Sequence, residues 1–112
     1  RDLVRSRGLG DVYKRQVKHI VTFQLDGTAE ERLEVAKKFK AALEALPAVI
    51  EPLQSIEVGL NQNPAEDWDV VLTAIVPAMA DVEVYAKHPA HVAAAGLLAG
   101  HKKSRACVDY EF

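Results

Sequence analysis

The chain has 112 residues, enough for one domain with a single hydrophobic core and no need of cross-links. Apolar residues make up 49% and charged residues 27%, an ordinary globular balance, and no apolar run approaches the roughly 20 residues of a membrane span. The net charge of −2 is unevenly spread: residues 1–16 carry five Lys/Arg against two Asp, while residues 17–112 carry nine against fourteen acids, which leaves no basic face for phosphates and argues against nucleic acid as a partner.

Residues 1–16 begin with Arg and show neither helical nor strand periodicity. They read as an extension foreign to the domain, similar to adaptor sequence and disordered; a basic interaction arm is the alternative. The single cysteine, Cys107, allows no internal disulfide and suits a reducing compartment. With no basic-then-apolar leader, a cytoplasmic protein is the simplest expectation.

Residues 17–25 alternate, with Val17, His19, Val21, Phe23 and Leu25 on one face and Lys18, Ile20, Thr22 and Gln24 on the other, which predicts a strand. Asp26-Gly27 makes a turn, and Thr28-Ala-Glu-Glu31 is a capping box opening a helix. The apolar stripe of that helix is Val35/Ala36, Phe39, Leu43 and Leu46, and Pro47 ends it. A second strand is predicted over 53–60, anchored by Ile56 and Val58, with Gly59 hinting at a bulge or close approach. After a polar loop, residues 68–76 form the most apolar segment, expected as a central strand covered on both sides.

A helix over about 79–87 must break at His88, because Pro89 disfavours helical geometry in the residue before it. A second helix restarts there and runs to about Leu98, with Gly100 as its stop. The break sets Tyr85 and His91 at a helix–helix corner. A last strand is expected over 105–112, with Ala106, Val108, Tyr110 and Phe112 on one face and Cys107 on the helix side.

The order β-α-β-β-α-β predicts an α+β, ferredoxin-like domain: a four-stranded antiparallel sheet with both helices on one face. Ile20, Ile56, Val58, Val71 and Ile75 are expected on the other face. An apolar face of that size needs cover, and two copies packed face to face would close it into a dimeric α+β barrel.

Three stretches carry a family resemblance: Val-Lys-His-Ile at 17–20, His-Pro-Ala-His-Val at 88–92 and Val-Asp-Tyr-Glu at 108–111. In content and spacing they resemble the stress-responsive dimeric α/β-barrel domain, Dabb, over residues 17–112 and not over the extension. The middle run is the specific one. The resemblance implies a homodimer in which each monomer can hold a pocket between its sheet and its helices. It extends to plant polyketide cyclases, cofactor-free enzymes that close a ring by aldol condensation. Carried over by position, their catalytic tyrosine and histidine become Tyr85 and His91, and a pocket histidine of the first strand becomes His19. A further pocket histidine falls at Val70. The aromatic wall of the first helix becomes Val35, Ala36 and Phe39, and aromatic and aliphatic residues near the start of the last strand become Lys102 and Arg105. The wall has changed while the acid–base group is kept, so a different substrate is expected.

Each residue also has a plain reading. His91 can serve as a base with Tyr85 stabilising an enolate, or it can pack under its helix and satisfy a backbone carbonyl. His19 on an apolar strand face is by itself a core histidine; its helix-facing placement beside Val21 and Phe23 makes it pocket-lining. Val21, Phe23, Val35, Ala36, Phe39, Val70, Leu72 and Cys107 are the expected substrate wall. His88 is structural, and no metal site is expected, because the Pro89 break spoils the facing of His88 and His91 and no Cys or acid completes a set with His101. No cofactor is expected and Cys107 is not expected as a nucleophile. Two functions stay open, a small acid–base enzyme or carbonyl-ligand binder and a non-catalytic stress or interaction dimer; a cofactor-free monooxygenase is a further alternative on fold alone.

Overall fold

The structure, a computed structural model, describes residues 15–112; of the extension expected at 1–16, residues 1–14 lie outside the described residues. Seven elements follow one another: β1 (Val17–Leu25), α1 (Ala29–Glu44), β2 (Ser55–Leu60), β3 (Val70–Val76), α2 (Met79–Lys87), α3 (Pro89–Ala95) and β4 (Lys102–Glu111). The strands form one antiparallel sheet in the order β2-β3-β1-β4. This is the ferredoxin-like arrangement.

The alternation of β1 sorts its side chains as expected, odd residues buried and even residues half-buried. Its buried face meets Ala36, Phe39 and Leu43 of α1, Tyr85 of α2 and Ala94 of α3 in one hydrophobic core. Phe23 and Phe39 meet edge to face, with ring centroids 5.4 Å apart. The capping box of α1 is formed: Thr28 Oγ1 accepts from Glu31 N at 3.1 Å, and the Glu31 carboxylate accepts from Thr28 N at 2.8 Å. That backbone N–H holds the Glu31 carboxyl below the usual carboxylate range.

Two ties fix the ends of the sheet. Asp69 accepts from the Leu25 amide at 2.7 Å and from Arg32 Nε at 3.0 Å, fastening the β2–β3 connection to β1 and α1. Lys40 donates to the Val58 carbonyl at 2.6 Å, while Glu44 accepts from the Val58 amide at 3.2 Å, so α1 occupies the outer edge of β2 at mid-strand.

The structure corrects the second strand. Ile56 and Val58 face the helices, because they pair with Ala74 and Leu72, both buried on that side. The open face instead gathers Ile20, Val71 and Ile75 with Val108 and Tyr110 of β4, paired across β1 as Ile20–Val108 and Lys18–Tyr110. Val108 is 63% exposed, Tyr110 42% and Val71 40%. Lys18 Nζ lies 4.5 Å from the centre of the Phe112 ring.

Boundaries shift for local reasons. Strand β2 starts at Ser55 and leaves Leu53 buried in the preceding loop. Strand β3 starts at Val70; just before it the Asp69 amide donates to the Phe23 carbonyl and its carbonyl accepts from the Asn61 amide, each at 2.9 Å, while its side chain makes the tie to Leu25 and Arg32. Helix α3 ends at Ala95, and a 3-10 turn over Gly96–Leu98 completes the run to Gly100, whose φ of 80° stops it. Strand β4 begins three residues early, at Lys102, with an irregularity opposite Gln24/Leu25.

Gly27, at φ 115°, joins β1 to α1, and a Cβ there would stand 2.8 Å from the Glu31 carboxylate oxygen. Gly27→Ala therefore strains the backbone and disturbs the capping box together. Urea denaturation is expected to show a loss of about 1–3 kcal/mol.

Candidate functional site

The break at Pro89 rearranges the hydrogen bonds of the corner. In a continuous helix the Ala86 carbonyl would accept from the Ala90 amide. Here the Ala90 amide donates to His88 Nδ1 at 3.0 Å, so His88 caps the start of α3. His88 is thus structural, through acceptance from α3 rather than donation to the end of α2. The Ala86 carbonyl is left to His91, whose Nδ1 lies 2.9 Å away. A carbonyl only accepts, so Nδ1 carries the proton and, in the neutral ring, Nε2 holds a free lone pair. Burial holds the His91 pKa below the usual histidine value, against the opposing pull of the Ala86 carbonyl, with smaller contributions from His19 and Arg105.

Tyr85 stands between two imidazoles. Its ring centroid is 4.4 Å from that of His91 and 5.6 Å from that of His19, the latter edge to face. The side chain is buried, and its hydroxyl has no hydrogen-bond partner among the described residues. Burial raises its pKa well above the ordinary tyrosine value, so the hydroxyl stays a neutral donor.

His19 is also buried, a polar side chain within the apolar core. The β1–β4 register sets Asp109 opposite it, and Nδ1 meets Asp109 Oδ1 at 2.5 Å. Cys107, opposite Val21, brings its Sγ to 3.6 Å from both His19 Nδ1 and Asp109 Oδ1. Burial first, then the Asp109 carboxylate, raises the Cys107 thiol pKa, which keeps it protonated and a poor nucleophile. Asp109 lies within the Val-Asp-Tyr-Glu stretch but receives no role at the site from the sequence, although it follows Cys107 by two and so shares its face.

The metal question also changes. Among the described residues no set forms with His88, His91 or His101, but His19, Cys107 and Asp109 hold donor atoms within 4.8 Å of one another. The set needs the strand register to assemble it, which spacing within one stretch does not show.

Of the expected wall, Val21, Phe23, Ala36, Phe39, Val70 and Leu72 are buried core members, with Val35 and Cys107 partly buried against them. Three surface clefts are described, lined respectively around Arg32 and Asn61, around Glu34 and His101, and around Trp68 and Val71. None of those three is lined by His19, Tyr85 or His91.

Comparison with known proteins follows this geometry. A family model for the stress responsive A/B barrel domain, Dabb, matches residues 17–112. The chain belongs to the Dabb family. Among solved structures, a dimeric Bacteroides fragilis protein of unknown function with a ferredoxin-like fold is 55% identical, with a TM-score of 0.84 over 87% of this chain and 96% of that one. A Dabb protein from Mesorhizobium loti is 19% identical, TM-score 0.67, over 87% and 96%. Hydroxynitrile lyase from Passiflora edulis is 13% identical, TM-score 0.70, over 89% and 95%, and shows that the fold is shared. No curated protein matches the chain. Among the described residues of this Dabb chain no helix is long and apolar enough to cross a membrane.

The unpartnered Tyr85 hydroxyl gives a direct test. Tyr85→Phe removes a buried polar atom without breaking a bond to the protein, so unfolding free energy should stay equal or rise by about 1 kcal/mol. A loss of more than that in urea denaturation would mean the hydroxyl is satisfied in solution.

Proposed function

We propose that the chain is a homodimer whose monomers each carry an acid–base site for a small carbonyl compound, with no cofactor. The carrying observation is the buried Tyr85 hydroxyl, unpartnered and flanked by His91 and His19. In this reading His91 Nε2 takes a proton alpha to a carbonyl, and Tyr85 donates a hydrogen bond to the enolate oxygen that develops. The Asp109 carboxylate orients His19 through Nδ1. Val21, Phe23, Ala36, Phe39, Val70 and Leu72 supply the buried apolar surroundings, with Val35 and Cys107 partly buried against them. An aldol-type or polyketide-cyclising reaction fits these roles.

A panel of β-keto and polyketide-like compounds tests this. His91→Ala is expected to reduce turnover by about 10²–10⁴-fold and Tyr85→Phe by about 10²-fold or more. With the His91 pKa depressed, the base stays neutral as pH falls past about 6.5 and loses activity only below it, so the acidic limb of kcat/KM should lie under that value. Turnover unchanged in both variants would remove the pair from the mechanism.

The dimer rests on the open sheet face. Val71, Val108, Tyr110 and Phe112 are each at least 40% exposed there, while a 55% identical relative is dimeric. Val108→Asp is expected to yield a folded monomer by sedimentation at micromolar concentration; a dimer in both wild type and variant would move the interface elsewhere. A non-catalytic dimer is the second reading, favoured by the burial of Phe39 and Leu72, which fills the space beneath the corner with side chains.

A further inference from the structure

The geometry points to a binding site for a divalent cation of the Zn²⁺ class at His19 Nδ1, Cys107 Sγ and Asp109 Oδ1. These side chains come from two adjacent strands, His19 from β1 and the others from β4, and the register fixes them on one face. Their donor atoms are the imidazole, thiolate and carboxylate set that Zn²⁺ prefers, in contrast to the all-oxygen shells of Mg²⁺ and Ca²⁺.

The separations bear on the fit. A tetrahedral Zn²⁺ at about 2.3 Å from sulfur and about 2.0–2.1 Å from nitrogen and oxygen sets S···N and S···O edges of about 3.5 Å. Both sulfur separations here are 3.6 Å. The third edge is 2.5 Å, a hydrogen bond between Nδ1 and Oδ1, against the about 3.3 Å a metal requires. Binding therefore replaces one proton bridge by an ion and opens that edge by about 0.8 Å, within reach of rotation about the Asp109 side-chain bonds.

The charges also balance. Zn²⁺ with one thiolate and one carboxylate is neutral, which suits a position where His19 is 6% exposed. The Cys107 proton passes to solvent, and the His19 proton moves from Nδ1 to Nε2, so the neutral protein releases one proton per ion. Cys107 and Asp109 are partly exposed, which leaves an entry path and a fourth position for water. The site shares His19 with the carbonyl chemistry above, yet it is read by binding alone and does not rest on that activity.

The test uses the full reduced chain without an affinity tag. Zn²⁺ is titrated against a chromophoric chelator, and Co²⁺ is followed by its absorption spectrum. One ion per chain is expected, with a thiolate-to-Co²⁺ charge-transfer band and intense tetrahedral d–d bands. Cys107→Ser should abolish the charge-transfer band, and Asp109→Asn should weaken Zn²⁺ binding about 100-fold or more, since even outer-shell changes cost 10–100-fold. His88→Ala and His101→Ala should leave both readouts unchanged. A Co²⁺ spectrum of wild type lacking the thiolate band overturns the proposal. So does Zn²⁺ affinity that survives in Asp109→Asn but falls in the His88 or His101 variant. The wild-type Co²⁺ spectrum decides the matter even if a strand variant fails to fold.

Discussion

Strand β1 is bonded along both edges, to β3 and to β4, and its strict two-residue alternation governs both sides of the sheet. One parity feeds the core and delivers His19 to it. The other builds the open face on which Ile20 meets Val108 and Thr73. A one-residue slip would exchange the two sets, exposing Phe23 and Leu25 and burying Lys18, so the register is held by the hydrophobic effect over the whole strand. The same register sets Asp109 against His19 and Cys107 against Val21. The chemistry of this face is thus a by-product of core pairing, with no loop needed to form it.

The corner at Pro89 works by a different economy. The turn forced by Pro89 diverts the Ala90 amide to His88 Nδ1 and leaves the Ala86 carbonyl free, and His91 takes it up while orienting its own ring. The outcome is a histidine of fixed tautomer beside a tyrosine whose hydroxyl is buried without a partner. Such a hydroxyl carries a cost of about 1–3 kcal/mol, a noticeable share of a domain stability of about 5–15 kcal/mol. Packing alone would be served as well by phenylalanine. Buried polar groups left in that condition are where a ligand or ordered water is sought.

Much of this was legible from the chain. The bounds of β1, the capping box at Thr28 and Glu31 and the break at His88 depend on local patterns within a few residues, and the structure reproduces them. The side taken by Ile56 and Val58 was not legible. Alternation shows that they share a face, but which face follows only from pairing with Leu72 and Ala74. Asp109 was overlooked for a related reason. An acid near the end of a strand reads as solvated, and its partner lies 90 residues away in the chain. Trp68 reads as strand because aromatics favour strands, whereas the strand itself begins only at Val70.

The hold of α1 on the edge of β2 bears on how the protein behaves when crowded. The two outermost strands of a four-stranded sheet offer unsatisfied amides and carbonyls to any passing strand, the usual seed of fibrous growth. At Val58 both groups are already engaged by Lys40 and Glu44. Along β4 the opposite rim carries Lys102, Lys103, Arg105, Asp109 and Glu111, whose solvated charges make burial against another strand costly. Lateral addition is thereby discouraged at both rims. What stays adhesive is the flat side of the sheet, and a contact made there is spent once it forms, giving closed assemblies in place of endless ones.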